Sequence, residues 1–190
     1  MSGKKRRDSI RQLNNHGFSL LELLVVMAII VIVSTITAVG LNVLAEGNAK
    51  KANKTMYSKI SELRTTTMSK SGEWYMVISC QDNTYTLETH HVSNGEDNIK
   101  DTSKFSASRI SLNYYNGDSS TGYDLRNNSL KIQFNKNDGS CKSVKIIDTE
   151  EFITDNLDAP QFGKIVASVS RNNTYESKLW YKTGRVTTQN

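Results

Sequence analysis

The sequence predicts an α+β fold: a long N-terminal helix, membrane-spanning in its first half and amphipathic in its second, packed on an antiparallel β-sheet. Three observations carry this. A run from Phe18 to Val39 is apolar apart from Glu22 and a few Ser/Thr. Ala49, Ala52, Met56, Ile60, Leu63 and Thr67 then recur at spacings of three and four, one apolar stripe of a helix. After Gly72 the period changes to alternation, broken by turn residues.

The first 17 residues form a polar leader carrying Lys4, Lys5, Arg6, Arg7 and Arg11 against Asp8. The apolar run that follows is about 33 Å long as a helix, enough for a bilayer core of roughly 30 Å. A secretory h-region is about 7–15 residues, so cleavage as an ordinary signal peptide near Thr37-Ala38-Val39-Gly40 is disfavoured. The leader bases outnumber Lys50, Lys51 and Lys54 on the far side, which places the N-terminus in the cytoplasm. Glu22 is the exception within the run. A carboxylate at membrane depth costs roughly 2.5–3.5 kcal/mol on insertion scales and asks for a partner. The chain's own terminus, another subunit, or lipid and water at the interface are the candidates.

The helix is expected to continue for about fifty residues at 1.5 Å each. Gly40, Asn42 and Gly47 are weak helix formers that mark a place to bend or melt, and Ser69-Lys70-Ser71-Gly72 is a stop. The organisation read from the chain is a leader over 1–17, an apolar helix over 18–44, its amphipathic continuation over 45–71 and a β domain over 72–190. Within the last, Trp74–Ser79 and Tyr85–Val92 read as strands around Asp82-Asn83. An acidic loop over Asn94–Lys104 precedes a single strand over Phe105–Tyr115. Leu130, Ile132 and Phe134 pair through Asp138-Gly139 with Val144 and Ile146. Ile165, Ala167 and Val169 turn at Asn172-Asn173 into a strand from Tyr175 to Tyr181, with a short last run around Arg185-Val186.

The formal charge of +5 suggests nucleic acid until its position is considered. The leader holds +4 of it, leaving 19 basic and 18 acidic side chains elsewhere. A basic footprint for DNA is therefore absent, and DNA stays as a partner that the composition does not support. Cys80 and Cys141 fit either one disulfide outside the cytoplasm or two reduced, buried thiols. His90 and His91, adjacent in a strand, point to opposite faces and cannot easily chelate one metal. Glu96, Asp97, Asn98 and Asp101 offer oxygen ligands without the EF-hand order, so a solvated loop is the better reading. The adjacent aromatic pairs Trp74-Tyr75, Tyr114-Tyr115 and Trp180-Tyr181 should each send one ring inward and one outward. No nucleophile–base pattern, P-loop or dinucleotide fingerprint is present, so no enzyme, cofactor or metal is expected.

The leader, Gly17-Phe18, the carboxylate in G-F-S-L-L-E and the apolar span together resemble the type III signal of type IV prepilins and pseudopilins. Lys178–Thr187, KLWYKTGRVT, faintly resembles the last strands of minor pseudopilins of type II secretion. The resemblance implies a ladle-like fold and a minor pilin or pseudopilin of a type IV pilus, secretion or competence filament. It implies cleavage after Gly17 by a prepilin peptidase/methyltransferase and N-methylation of Phe18. It further implies pairing of Glu22 with the Phe18 amine of a neighbouring pilin subunit. Membrane lipid before assembly, an inner-membrane assembly platform and an extracytoplasmic filament follow from the same resemblance. A DNA-uptake or adhesive minor pilin, and a membrane-anchored extracytoplasmic domain of other activity, are the alternatives. Many pilins carry a Pro in the first helix, and here only Gly40 and Asn42 offer a break. The familiar disulfide-closed C-terminal loop is not evident, since both cysteines lie in mid-domain.

Overall fold

The computed structural model describes residues 19–147, 149–152, 160–170 and 173–189, with backbone alone at 36–42, 150, 151 and 170. The chain divides into two compact units, one ending at Gly40 and one running from Leu41 onward. Helix α1 (Leu20–Ser69) is 50 residues long and unbroken through Gly40, Asn42 and Gly47. Among the described residues no helix is long and apolar enough to cross a membrane. The expected span Phe18–Val39 begins outside the described residues and ends among those given by backbone alone.

In the second unit the helix stripe is where the spacing put it. Ala49, Ala52, Met56 and Ile60 are fully buried, and Leu63 and Thr67 nearly so. The Thr67 hydroxyl donates back to the Leu63 carbonyl at 2.9 Å, so a polar group sits on the buried face without an unmet bond. Past the helix end Gly72 takes φ +85°, and a Cβ there would lie 2.2 Å from His91 Nε2. Only glycine makes this close turn into the first strand without displacing the histidine.

The expected single sheet is two. Strands β1 (Glu73–Gln81), β2 (Thr84–Ser93), β3 (Glu96–Ser106), β6 (Leu130–Phe134), β7 (Cys141–Ile146) and β8 (Glu150–Glu151) form one, in the order β3-β2-β1-β6-β7-β8. Strands β4 (Ser111–Asn116), β5 (Tyr123–Asp124), β9 (Phe162–Ser170), β10 (Asn173–Trp180) and β11 (Val186–Gln189) form the other, in the order β11-β10-β9-β4-β5. Every pairing is antiparallel. One hydrophobic cluster takes residues from α1 and from the inward face of both sheets, among them Met76, Leu87, Ile132, Leu112, Ile165 and Leu179. Each such side chain, fully buried, is worth about 1.5–3 kcal/mol over its exposed state. This explains why two sheets with one wet face each are stable around a single helix.

The hairpins read from the sequence are present. Asp82 (φ 48°) and Asn83 (φ 56°) turn β1 into β2, and Gly139 (φ 69°) turns β6 into β7. Of the expected turn Asn172-Asn173, the first residue lies outside the described residues and Asn173 opens β10, paired with Ser170. Two expectations fail. The segment from Asn94 to Lys104 is no loop: only Asn94 and Gly95, both at positive φ, form a turn, and β3 pairs with β2 along its length. The strand expected over Phe105–Tyr115 is cut at Ala107–Ile110, where the chain leaves one sheet for the other. Arg109 adopts φ 60° there, and Arg126 Nη2 donates to the carbonyls of Ala107 (2.6 Å) and Ile110 (2.8 Å). Those charge-assisted bonds satisfy backbone acceptors that a continuous ladder would have taken.

Arg64, flanking the stripe beside Ile60 and Thr67, ties the two sheets at their ends. Its Nε lies 3.0 Å from both the Gly139 and the Thr183 carbonyls. Gly184, at φ +62°, packs so closely that a Cβ would sit 1.8 Å from the Gly139 oxygen. Cys141 N–H donates to the Tyr181 carbonyl at 2.8 Å, joining β7 to the end of β10.

Candidate functional site

The described helix begins with a reciprocal bond. Ser19 N–H donates to Glu22 Oε2 at 2.9 Å, and Glu22 N–H donates to Ser19 Oγ at 3.2 Å. This is a capping box, Ser at the N-cap and Glu three residues on, satisfying two donors that have no partner within the helix. The carboxylate also lies in the first turn, where the helix dipole favours a negative charge. The pattern S-x-x-E stands in the sequence at Ser19–Glu22, and it adds a local partner to the chain's own terminus, another subunit, and lipid and water as candidates for Glu22. Its first partner is local. Gly17 and Phe18, expected at the cleavage and methylation point, lie outside the described residues.

From Leu20 to Val33 every large apolar side chain is exposed, from 47% at Val25 and Val26 to 82% at Leu20. The hydroxyls that interrupt the run are turned inward: Ser34 Oγ donates to the Ile30 carbonyl at 2.6 Å and Thr35 Oγ1 to the Ile32 carbonyl at 2.7 Å. Ser and Thr thus present little polar surface of their own. A contiguous apolar surface of this kind marks a contact with protein or lipid.

The remaining candidate residues are accounted for in the second unit. Cys80 and Cys141 are free thiols. Register sets them apart: Cys141 pairs with Phe134, which stands level with Trp74, six positions along β1 from Cys80. At about 3.3 Å per residue that is about 20 Å, against less than about 7 Å for bridged Cα atoms, so the disulfide alternative is not realised. Burial pushes the Cys141 thiol up to about 12 and raises that of Cys80, so neither offers a thiolate near neutral pH.

His90 and His91 face opposite sides, as expected. His91 stacks on Trp74 with centroids 4.1 Å apart, and His90 stacks on Tyr75 at 4.6 Å. His90 Nδ1 is 3.1 Å from Asp97 Oδ1, and the Tyr75 hydroxyl also donates to Asp97. That bond, with a smaller contribution from His90, holds the Asp97 carboxyl below its ordinary value; burial and Asp97 push Tyr75 up to about 12. Tyr75 is therefore a fixed donor and Asp97 a fixed acceptor, an arrangement that orders β1, β2 and β3. Asp101 lies across the sheet, 3.1 Å from Lys59 of the helix. The bulge between Thr89 and His90 reverses the alternation between Asp97 and Asp101. No group of three ligating side chains that could hold a metal occurs among the described residues. The aromatic pairs split as expected: Trp74, Tyr114 and Tyr181 are buried, while Trp180 is exposed.

No curated protein and no solved structure matches the chain significantly. Residues 12–38 match the family model described as the prokaryotic N-terminal methylation motif. Over that stretch, which takes in Gly17-Phe18, the Ser19–Glu22 cap and the exposed apolar turns, the chain carries the leader signature of type IV pilins and pseudopilins.

Proposed function

We propose that this chain is the precursor of a structural subunit, a minor pilin or pseudopilin of a type IV pilus, type II secretion or competence filament. The observation that carries the proposal is the methylation motif joined directly to a capped helix whose first turns are apolar and exposed on every side. The polar clusters around Asp97, Arg126 and Glu73 among the described residues serve to hold strands and turns together. Under this reading residues 1–17 are a cytoplasmic leader, and the prepilin peptidase/methyltransferase cuts after Gly17 and methylates Phe18. Residues 18–44 sit in the membrane with lipid around them until the inner-membrane platform passes them to other subunits. Residues 45–71 continue the helix into the extracytoplasmic domain, 72–190.

Glu22 then has two successive tasks. Before assembly its Oε2 closes the cap with Ser19. In the filament the carboxylate takes the Phe18 amine of a neighbouring subunit, a cation that cleavage has just created. A carboxylate left unpaired in that apolar setting would cost about 3–5 kcal/mol, so the pair selects the register of assembly.

Glu22→Gln separates the two tasks, because glutamine serves equally at the third position of a capping box. The variant should be processed and should accumulate in the membrane fraction, yet be lost from sheared filaments or from cross-linked subunit ladders. Incorporation at the wild-type level would show that the charge is not used for assembly and would overturn the role given to Glu22.

A further inference from the structure

We propose that the corner of the five-stranded sheet around Trp180 binds an acidic sugar of a polysaccharide. Trp180 is 38% exposed, while its neighbours Leu179 and Tyr181 are 3% and 6% exposed. A large aromatic turned out of a well-filled core is informative where scattered exposed aliphatics are not. Trp180 lies opposite Phe162 in register, with ring centroids 5.3 Å apart. Lys178, on the same face, holds its ammonium 4.3 Å from the Phe162 centroid and 5.6 Å from that of Trp180. Beside this plate a cleft of about 520 Å³ is lined by Gln161, Trp180, Lys182, Thr183, Arg185 and Thr187.

The cleft is preformed. Trp180 N–H donates to the Arg185 carbonyl at 2.9 Å, Gly184 N–H donates to the Trp180 carbonyl at 2.8 Å, and Arg64 Nε holds the Thr183 carbonyl at 3.0 Å. The turn bearing Lys182 and Arg185 is thus pinned to the helix, so a ligand meets little ordering penalty there. Neither Lys182 nor Arg185 forms an ion pair among the described residues.

The groups match one chemistry. An indole face takes the apolar face of a pyranose ring, and a guanidinium grips a carboxylate in two-point fashion. The Thr187 hydroxyl and that of Thr183, which accepts the Arg185 N–H at 3.2 Å and keeps its own proton to donate, bond the ring's hydroxyls. Single-stranded nucleic acid shares the stacking and the cations, but it needs a continuous cationic track along its backbone. On this face the cations are interrupted by acids: Lys164, opposite Lys178 in register, stands 4.0 Å from Asp118, and Lys178 stands 3.9 Å from Glu176. A uronic-acid polymer, with its sparser charges, fits the cleft. The inference does not rest on the filament reading.

Intrinsic fluorescence tests it, because of the two tryptophans Trp74 is 7% exposed and Trp180 is the accessible one. The full chain in detergent micelles is titrated with hexasaccharides of galacturonate and of hyaluronan, with cellohexaose and a dT10 oligonucleotide as comparisons. A saturable change with at least one uronic-acid hexasaccharide is expected, with cellohexaose at least about tenfold weaker. By calorimetry Arg185→Gln should weaken binding about tenfold with an unchanged melting temperature, and Trp180→Ala should abolish it. The proposal is overturned by no saturable response to either acidic hexasaccharide or by equal affinity for cellohexaose. Tighter binding of dT10, or binding that survives both substitutions, overturns it as well.

Discussion

At the residue scale, Glu22 and Glu73 show two uses of a carboxylate, one at a helix terminus and one at the end of a central strand. Glu22 sits in the first helical turn, joined to Ser19 by two backbone-to-side-chain bonds. Glu73 accepts from Lys142 Nζ at 2.8 Å and Gln133 Nε2 at 2.5 Å, and these bonds, Lys142 first, hold its carboxyl below the usual value. A carboxyl lowered on folding contributes stability above its unfolded value near 4.5, and that contribution is lost as the pH falls through the lower folded value. The melting temperatures of wild type and Glu73→Gln should therefore differ most at pH 6 and converge toward pH 3. A constant difference across that range would mean that the bonds to Lys142 and Gln133 do not depend on the charge. The cysteines carry a second prediction. With Cys141 pushed up to about 12 and Cys80 also raised by burial, the native chain should resist iodoacetamide at pH 7.5 and take up two adducts once unfolded. Fast native labelling at Cys141 would contradict the packing described here. The cap at Ser19 was legible in four letters of sequence; the separation of the cysteines was not, because it depends on the register of β6 against β1.

Among the elements, those with two distinct faces were the legible ones. The stripe Ala49 to Thr67 and the alternation of β1, β2, β6, β7, β9 and β10 follow from burying one face and wetting the other. Strand β3 escaped because it is an edge strand whose side chains are exposed or half-exposed throughout, so EDNIKDTSKFS carries no alternation to read. The break at Ala107–Ile110 escaped for a different reason. The apolar alternation shifts phase there, from Phe105 and Ala107 to Ile110, Leu112 and Tyr114, a short signal that is easily read as one strand; the cut is held by Arg126, which is distant in sequence and reaches back to two carbonyls. The helix is the element on which both sheets close, and Ile60 is fully buried near the middle of its packed stretch. Ile60→Ala should cost about 2–5 kcal/mol in chemical denaturation, from lost transfer energy plus a cavity that two sheets cannot both collapse into. A cost under about 1 kcal/mol would mean that the helix is not central to this core.

On the scale of the whole molecule, the chain separates what holds it together from what it presents. The unit from Leu41 onward has a single core drawing on α1 and both sheets. The unit ending at Gly40 has a capped helix start and exposed apolar side chains from Leu20 to Val33. Folding alone gives no reason for that surface, and the methylation motif over residues 12–38 supplies one. The fold class was readable from periodicity, whereas the second sheet was not, because period marks a strand and says nothing of which sheet it joins. The proposed processing point was readable from local motif and charge, since Gly17, Phe18 and Glu22 are close in the chain. The cleft at Trp180 was not, because it needs the β10–β11 turn, Gln161 and Arg64 brought together. The measurement that tests the central claim most directly is intact mass with N-terminal sequencing of the chain recovered from the membrane and filament fractions. The account predicts a mature chain that begins at Phe18 and carries one added methyl group; a start near Gly40, or an uncut chain at Met1, would contradict it.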